Sequence, residues 1–139
     1  MNRRMARETA FILLFEAKFH PERDIAEIYE TAKNSREIEE DDSVREVLGG
    51  VATHKEELDA CIERHSHGWK QTRISHVSLP IMELAVYEIC YREDIPALVS
   101  INEALELVKT YDEESARAFV NGVLNAVVKE NEAAGSHAD

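Results

Sequence analysis

The chain is short of everything that interrupts a helix. Five glycines and three prolines in 139 residues are too few for the closely spaced turns of a β-sandwich, and they favour long helices. Two cysteines, Cys61 and Cys90, make no disulfide framework, so a reducing cytoplasm is the default compartment. Long apolar runs are missing too. The longest near the N-terminus, Ala10 to Phe15, stops at Glu16, which is too short for a membrane span and has no small-residue cleavage site behind it. Positive charge is scarce: 16 Lys and Arg against 28 Asp and Glu give a formal charge of −12. Such a chain repels nucleic acid and anionic membrane unless its basic residues are concentrated in one place.

What is present is helical pattern. Hydrophobic residues make up 44% of the chain, enough for a core, and the length suits one domain. Ala6, Ala10, Leu13, Leu14 and Ala17 give helical spacing over Arg3 to Phe19. His20-Pro21 ends that helix, and Pro21 opens a second through Ile25, Ile28, Tyr29 and Ala32. After an acidic loop over Asn34 to Asp42, Ser43 and Glu46 resemble a capping box for one long helix that carries Val44, Leu48, Val51, Leu58 and Ile62 on one side. Gly49-Gly50 within it, and Gly122 later, suit close approach of a neighbouring helix. Trp69 to Ile74 reads as a short helix. Ser78 caps the next, which is apolar over most of its circumference from Ile81 to Cys90 and is expected to be the most buried. Ser100 and Glu103 form a second capping box, and the last helix buries Phe119, Val120, Val123, Leu124 and Val127. Residues 130–139 read as a frayed tail. The expectation is an all-α fold: about seven helices in one compact domain over residues 1–139.

The chemistry concentrates at the start. At about 100° per residue, Arg4, Arg7, Phe11, Phe15 and Lys18 fall within an arc of roughly 80° beside the apolar face, with Arg3 adjacent. No acid precedes Glu8. Guanidinium forks match phosphate geometry, and an aromatic ring beside them stacks a base. The competing account makes Phe11 and Phe15 core and the arginines a solvated terminus. A weaker basic group, Arg64, Lys70 and Arg73 interleaved with His65, His67, Trp69 and His76, reads better as a solvated helix end than as an RNA track. Cys61, His65, His67 and His76 lack the paired short spacings of a four-ligand zinc site, so neither metal nor other cofactor is expected, and Cys90 reads as a packed thiol. No Ser-His-Asp arrangement, glycine-rich phosphate loop or His-Glu-x-x-His motif occurs. Acidic pairs such as Glu39-Glu40 are ordinary in so acidic a chain. No catalytic residue is assigned.

Four blocks, in order and spacing, resemble the NusB family of transcription antitermination factors: Arg3-Arg4-Met5-Ala6-Arg7-Glu8; Leu84-Ala85-Val86-Tyr87-Glu88-Ile89 with Asp94-Ile95-Pro96; Ile101 to Leu107; and Phe119-Val120-Asn121-Gly122-Val123-Leu124. The resemblance implies two packed helical subdomains, binding to a boxA element of single-stranded nascent RNA, and partnership with the small-subunit ribosomal protein NusE. It implies action in an RNA polymerase complex that reads through terminators, notably in ribosomal RNA operons, and some members form homodimers. It puts Arg3, Arg4 and Arg7 at RNA-contacting positions, Phe15 beside the RNA, and Phe119 and Asn121 at a matching helix start where Phe119 stacks a base. Ser78, Leu79 and Glu83 depart from an Asp-Arg pair and a later Arg common in relatives, and Asp112 stands where Gly is common. The acidic body leaves a second reading open: a helical adaptor that steers a basic protein and touches RNA little.

Overall fold

The computed structural model describes residues 1–67 and 74–134. Among them are seven helices and no strand: α1 (Arg3–Lys18), α2 (Ile25–Asn34), α3 (Asp42–Thr53), α4 (Lys55–Arg64), α5 (Ser78–Tyr91), α6 (Ala97–Tyr111) and α7 (Ala116–Ala133). None is long and apolar enough to cross a membrane. The chain divides into two compact units, Met1–Thr53 and His54–Asp139.

In the N-terminal unit α1, α2 and α3 pack on one another. Ala10, Phe11, Leu13 and Leu14 of α1, Ile28, Tyr29 and Ala32 of α2, and Val44, Leu48 and Val51 of α3 are buried; Phe11 joins the positions that the spacing predicts, while Ala6, Ala17 and Ile25 are only half-buried. Asn2 caps α1, its Oδ1 accepting from the Met5 N–H at 2.8 Å. Pro21 lies in a turn closed by the Arg23 N–H and the His20 carbonyl, and α2 begins four residues later. Asp41, rather than Ser43, caps α3. Its carboxylate accepts from the Ser43 N–H, the Ser43 hydroxyl and the Val44 N–H, and the Ser43 hydrogen bond leads in holding it below the ordinary value. The buried Tyr29 hydroxyl fixes the loop before this cap, accepting from the Asp41 N–H at 2.9 Å and donating to its carbonyl at 3.3 Å.

The expected long helix is two. His54 has φ −104° and ψ 15° between α3 and α4, outside helical geometry. Its ring stacks on Tyr91 at 4.0 Å and its Nδ1 lies 2.9 Å from Glu57 Oε1. Of the expected helix over Trp69 to Ile74, residues 69–73 lie outside the described residues. A Cβ at Gly49 or Gly122 would meet nothing within 4 Å, so neither glycine marks a close helix approach.

In the C-terminal unit α5 is the organising element, with α4, α6 and α7 all packed on it. Every residue from Ser78 to Ile89 is buried, Glu83 and Glu88 included. Glu83 Oε2 lies 3.4 Å from Lys55 Nζ, which also pairs with the buried Asp59 at 2.6 Å. Glu88 accepts from the Ser100 hydroxyl at 2.7 Å. Ser100 is thus a buried partner inside α6, whose cap position is Pro96, and not the capping residue its spacing to Glu103 suggests. Helix α7 continues through Glu130 to Ala133, past the point where a tail was expected. The ion pair of Glu130 with Arg64 at 2.8 Å holds that last turn.

The start of α5 differs from expectation in the same way. Ser75 Oγ accepts from the Val77 and Ser78 N–H groups, so the cap lies three residues before Ser78. Ser78, with its hydroxyl freed, donates to Asp112 Oδ2 at 2.6 Å, and Ser75 donates to the same oxygen at 2.8 Å. Burial raises the Asp112 carboxyl, but the hydrogen bonds from Ser78, the Glu113 N–H and Ser75 outweigh it and hold the group below its ordinary value. A depressed folded value contributes stability above the unfolded pKa of about 3.9, and that contribution is lost as pH falls through the folded value. The melting-temperature difference between the natural chain and Asp112→Asn should therefore be largest near neutrality and shrink below about pH 4. A difference that stays constant under acidification would remove the carboxylate from this role.

Candidate nucleic-acid interface

A helix N-terminus carries about half a positive charge and favours acids in its first turn. Helix α1 has no acid there. It has Arg3 and Arg4, both exposed, and Arg7 one turn on, half-buried. Like charges at a helix end cost a few tenths to about 1 kcal/mol each. In return, three guanidinium groups and the helix dipole bring positive potential to one place on an acidic chain, the arrangement that attracts a phosphate.

The aromatic residues behind the arginines divide. Phe11 is 2% exposed and belongs to the core, so the structural account holds for that ring. Phe15 is half-buried. Its ring centroid lies 6.1 Å from Phe11 and 5.1 Å from Phe19, the latter edge-on at 70°. Phe19 is 58% exposed. The three rings form a ladder from core to solvent with Phe15 as its middle rung, and Met5 and Ile12 are exposed on the same flank. Sequence reasoning treated Phe19 only as the end of a helix. The signal for it was present in the four-residue spacing of Phe11, Phe15 and Phe19.

The other two candidates sit on α7 of the C-terminal unit. Phe119 is half-buried and Asn121 exposed. Asn125, one turn on, donates through Nδ2 to the Asn121 carbonyl at 2.8 Å and to its Oδ1 at 3.1 Å. Arg117, one turn earlier, is exposed. Arg117, Asn121 and Asn125 therefore make a polar row at successive turns, flanked by the bare backbone of Gly122. Arg117 and Asn125 were not among the residues singled out from sequence, although their spacing places them in line with Asn121.

Of the second basic group, Arg64 is the cation among the described residues, and it is engaged. Arg64 Nε and Nη2 donate to both oxygens of Glu130 at 3.1 and 2.8 Å. The hydrogen bonds from Arg64, then that from His65, hold the Glu130 carboxyl down to about 2. Lys70, Arg73 and Trp69 lie outside the described residues.

Known proteins share the sequence pattern and the fold of this chain. A family model described as NusB family matches residues 4–129. The transcription antitermination protein NusB of Acetivibrio thermocellus is 42% identical over 135 residues, covering 93% of this chain and 90% of the relative. That of Agathobacter rectalis is 43% identical over 127 residues, covering 89% and 97%. Among solved structures, NusB of T. maritima superposes with a TM-score of 0.83 at 32% identity, covering 94% of this chain and 92% of that one. A chain in the crystal structure of antitermination factors NusB and NusE in complex with dsRNA superposes with a TM-score of 0.81 at 27% identity, covering 92% and 96%.

The division of the aromatic ladder is open to measurement. Phe11→Ala should destabilise the chain by about 3–5 kcal/mol, the range for a fully buried ring, and Phe15→Ala by less than half of that. Equal losses in denaturant unfolding would make Phe15 a core residue.

Proposed function

The chain belongs to the NusB family, and from that membership we propose that it binds RNA on the arginine-bearing end of α1 as a non-enzymatic transcription antitermination factor. It works with NusE in an RNA polymerase complex that reads through terminators, and its place of action is the cytoplasm, where nascent RNA is made. The RNA is a single-stranded boxA-type element. Its phosphates meet Arg3, Arg4 and Arg7, while Phe15 borders an unpaired base. Phe119 and Asn121 add a stacking ring and an amide that reads base edges.

The observation that carries this reading is the charge distribution: three arginines in the first helical turns, where the dipole favours acids, on a chain of net charge −12. Arginine's bidentate fork and the counterions released on phosphate neutralisation supply the affinity. The acidic remainder repels polyanions elsewhere, so phosphate contacts concentrate on the arginines, and the same acidity steers a basic partner such as a ribosomal protein.

Salt titration tests it. Binding of a boxA-type single strand should weaken several-fold in Arg7→Ala, and the slope of log affinity against log salt should become shallower by about 0.7, the value for one phosphate contact on a single strand. Unchanged affinity and slope, with and without NusE, would move the RNA off α1. Tighter binding to a duplex of the same sequence would replace the single strand as the ligand.

A further inference from the structure

Cys61 of α4 and His65, the residue that caps its C-terminus, lie one turn apart, and both face Glu130 in the last turns of α7. Cys61 Sγ, His65 Nε2 and a Glu130 carboxylate oxygen all lie within 4.8 Å of one another. The Nε2 to Oε1 distance is 3.1 Å and the Sγ to Oε1 distance 4.0 Å. Tetrahedral zinc, with bonds of about 2.0–2.3 Å, sets its ligand atoms roughly 3.3–3.8 Å apart. The two separations from Glu130 Oε1 bracket that range, and rotation of the Cys61 and His65 side chains by up to about an ångström closes the third.

The polar accounting singles out the same point. His65 Nε2 is buried, and the atom it faces is a Glu130 carboxylate oxygen 3.1 Å away. A metal there takes the place of the ring proton that joins the two atoms, and that proton moves to Nδ1. Glu130 is already held ionised by Arg64, which grips both of its oxygens. Arg64 is exposed and can keep its Nε bond to Oε2 when Oε1 turns to a metal. Orientation of a ligating carboxylate by an outer hydrogen bond is a common feature of metal sites.

We propose that Cys61, His65 and Glu130 form a binding site for a zinc-class divalent cation, with Sγ, Nε2 and Oε1 as its three protein ligands. The mixed thiolate, imidazole and carboxylate set selects a borderline metal over magnesium or calcium. Burial pushes the Cys61 thiol up to about 11, so it is protonated at neutral pH. Binding exchanges the S–H bond for an S–metal bond and releases one proton to solvent. The bound cation ties the end of α4 to the end of α7. Sequence spacing alone missed the site because Glu130 lies 65 residues beyond His65.

The test is titration of the reduced, untagged full chain with cobalt(II), followed by displacement with zinc. A thiolate-to-cobalt charge-transfer band together with visible d–d bands of tetrahedral strength, saturating near one cation per chain and bleached by zinc, is the expected result. Cys61→Ser should abolish the charge-transfer band. His65→Ala and Glu130→Gln should each weaken binding about tenfold or more while keeping helical circular dichroism. They have half-buried and exposed side chains, so loss of fold does not explain their effect. Zinc should raise the melting temperature of the natural chain and not of Glu130→Gln. Absence of a thiolate band, or a band that survives Cys61→Ser and disappears in Cys90→Ser, overturns the site.

Discussion

Two carboxylates inside α5 constrain everything packed around it. Glu83 and Glu88 are 2% and 3% exposed, and a buried charge left without compensation costs several kcal/mol. Each is answered from a different neighbouring helix: Glu83 by Lys55 of α4 and Glu88 by Ser100 of α6. These contacts fix rotation and register in a way that interchangeable Leu, Ile and Val side chains do not, since apolar packing tolerates small slides that a 2.7 Å hydrogen bond does not. The helix with the most hydrophobic sequence is therefore positioned by its polar residues.

Helix α1 solves a different problem. Its buried face stabilises the N-terminal unit through Ala10, Phe11, Leu13 and Leu14, while its first turns carry charge of the sign its own dipole opposes. A well-packed helix supports that local cost because the packing lies further along, beyond the last arginine. The division runs lengthwise: positive charge in the first two turns, burial in the next two. Phe15 stands at the junction, touching the core ring of Phe11 and the exposed ring of Phe19, so a base meeting it would lie against a surface already held rigid.

How much was legible in the sequence follows from where each signal lies along the chain. The arginine end, the core residues of α1 to α3 and the burial of α5 all rest on contiguous patterns, and the structure places them as the spacing suggests. The serines went differently. Ser43, Ser78 and Ser100 each stand where a helix cap is expected, but their hydroxyls donate to Asp41, Asp112 and Glu88. A carboxylate is a stronger acceptor than a hydroxyl, so where one is within reach the serine becomes its donor. The caps then pass to Asp41 and Ser75. The break at His54 was invisible because it depends on stacking with Tyr91, 37 residues on, and the convergence of Cys61, His65 and Glu130 was hidden by a similar separation. Local rules read faces and ends; they do not read partners brought by the fold.

The contact between Ser78 and Asp112 also bears on history. Two hydroxyls converge on one oxygen of Asp112. An aspartate at position 78 would instead oppose carboxylate to carboxylate at hydrogen-bond distance, and one of them would have to take up a proton or turn away. A glycine at position 112 would leave the Ser78 hydroxyl to find another acceptor in a buried place. The two positions are epistatic: each residue is acceptable only given the other. A lineage moving between the two pairings meets a cost in either order, and the larger one where two carboxylates face each other.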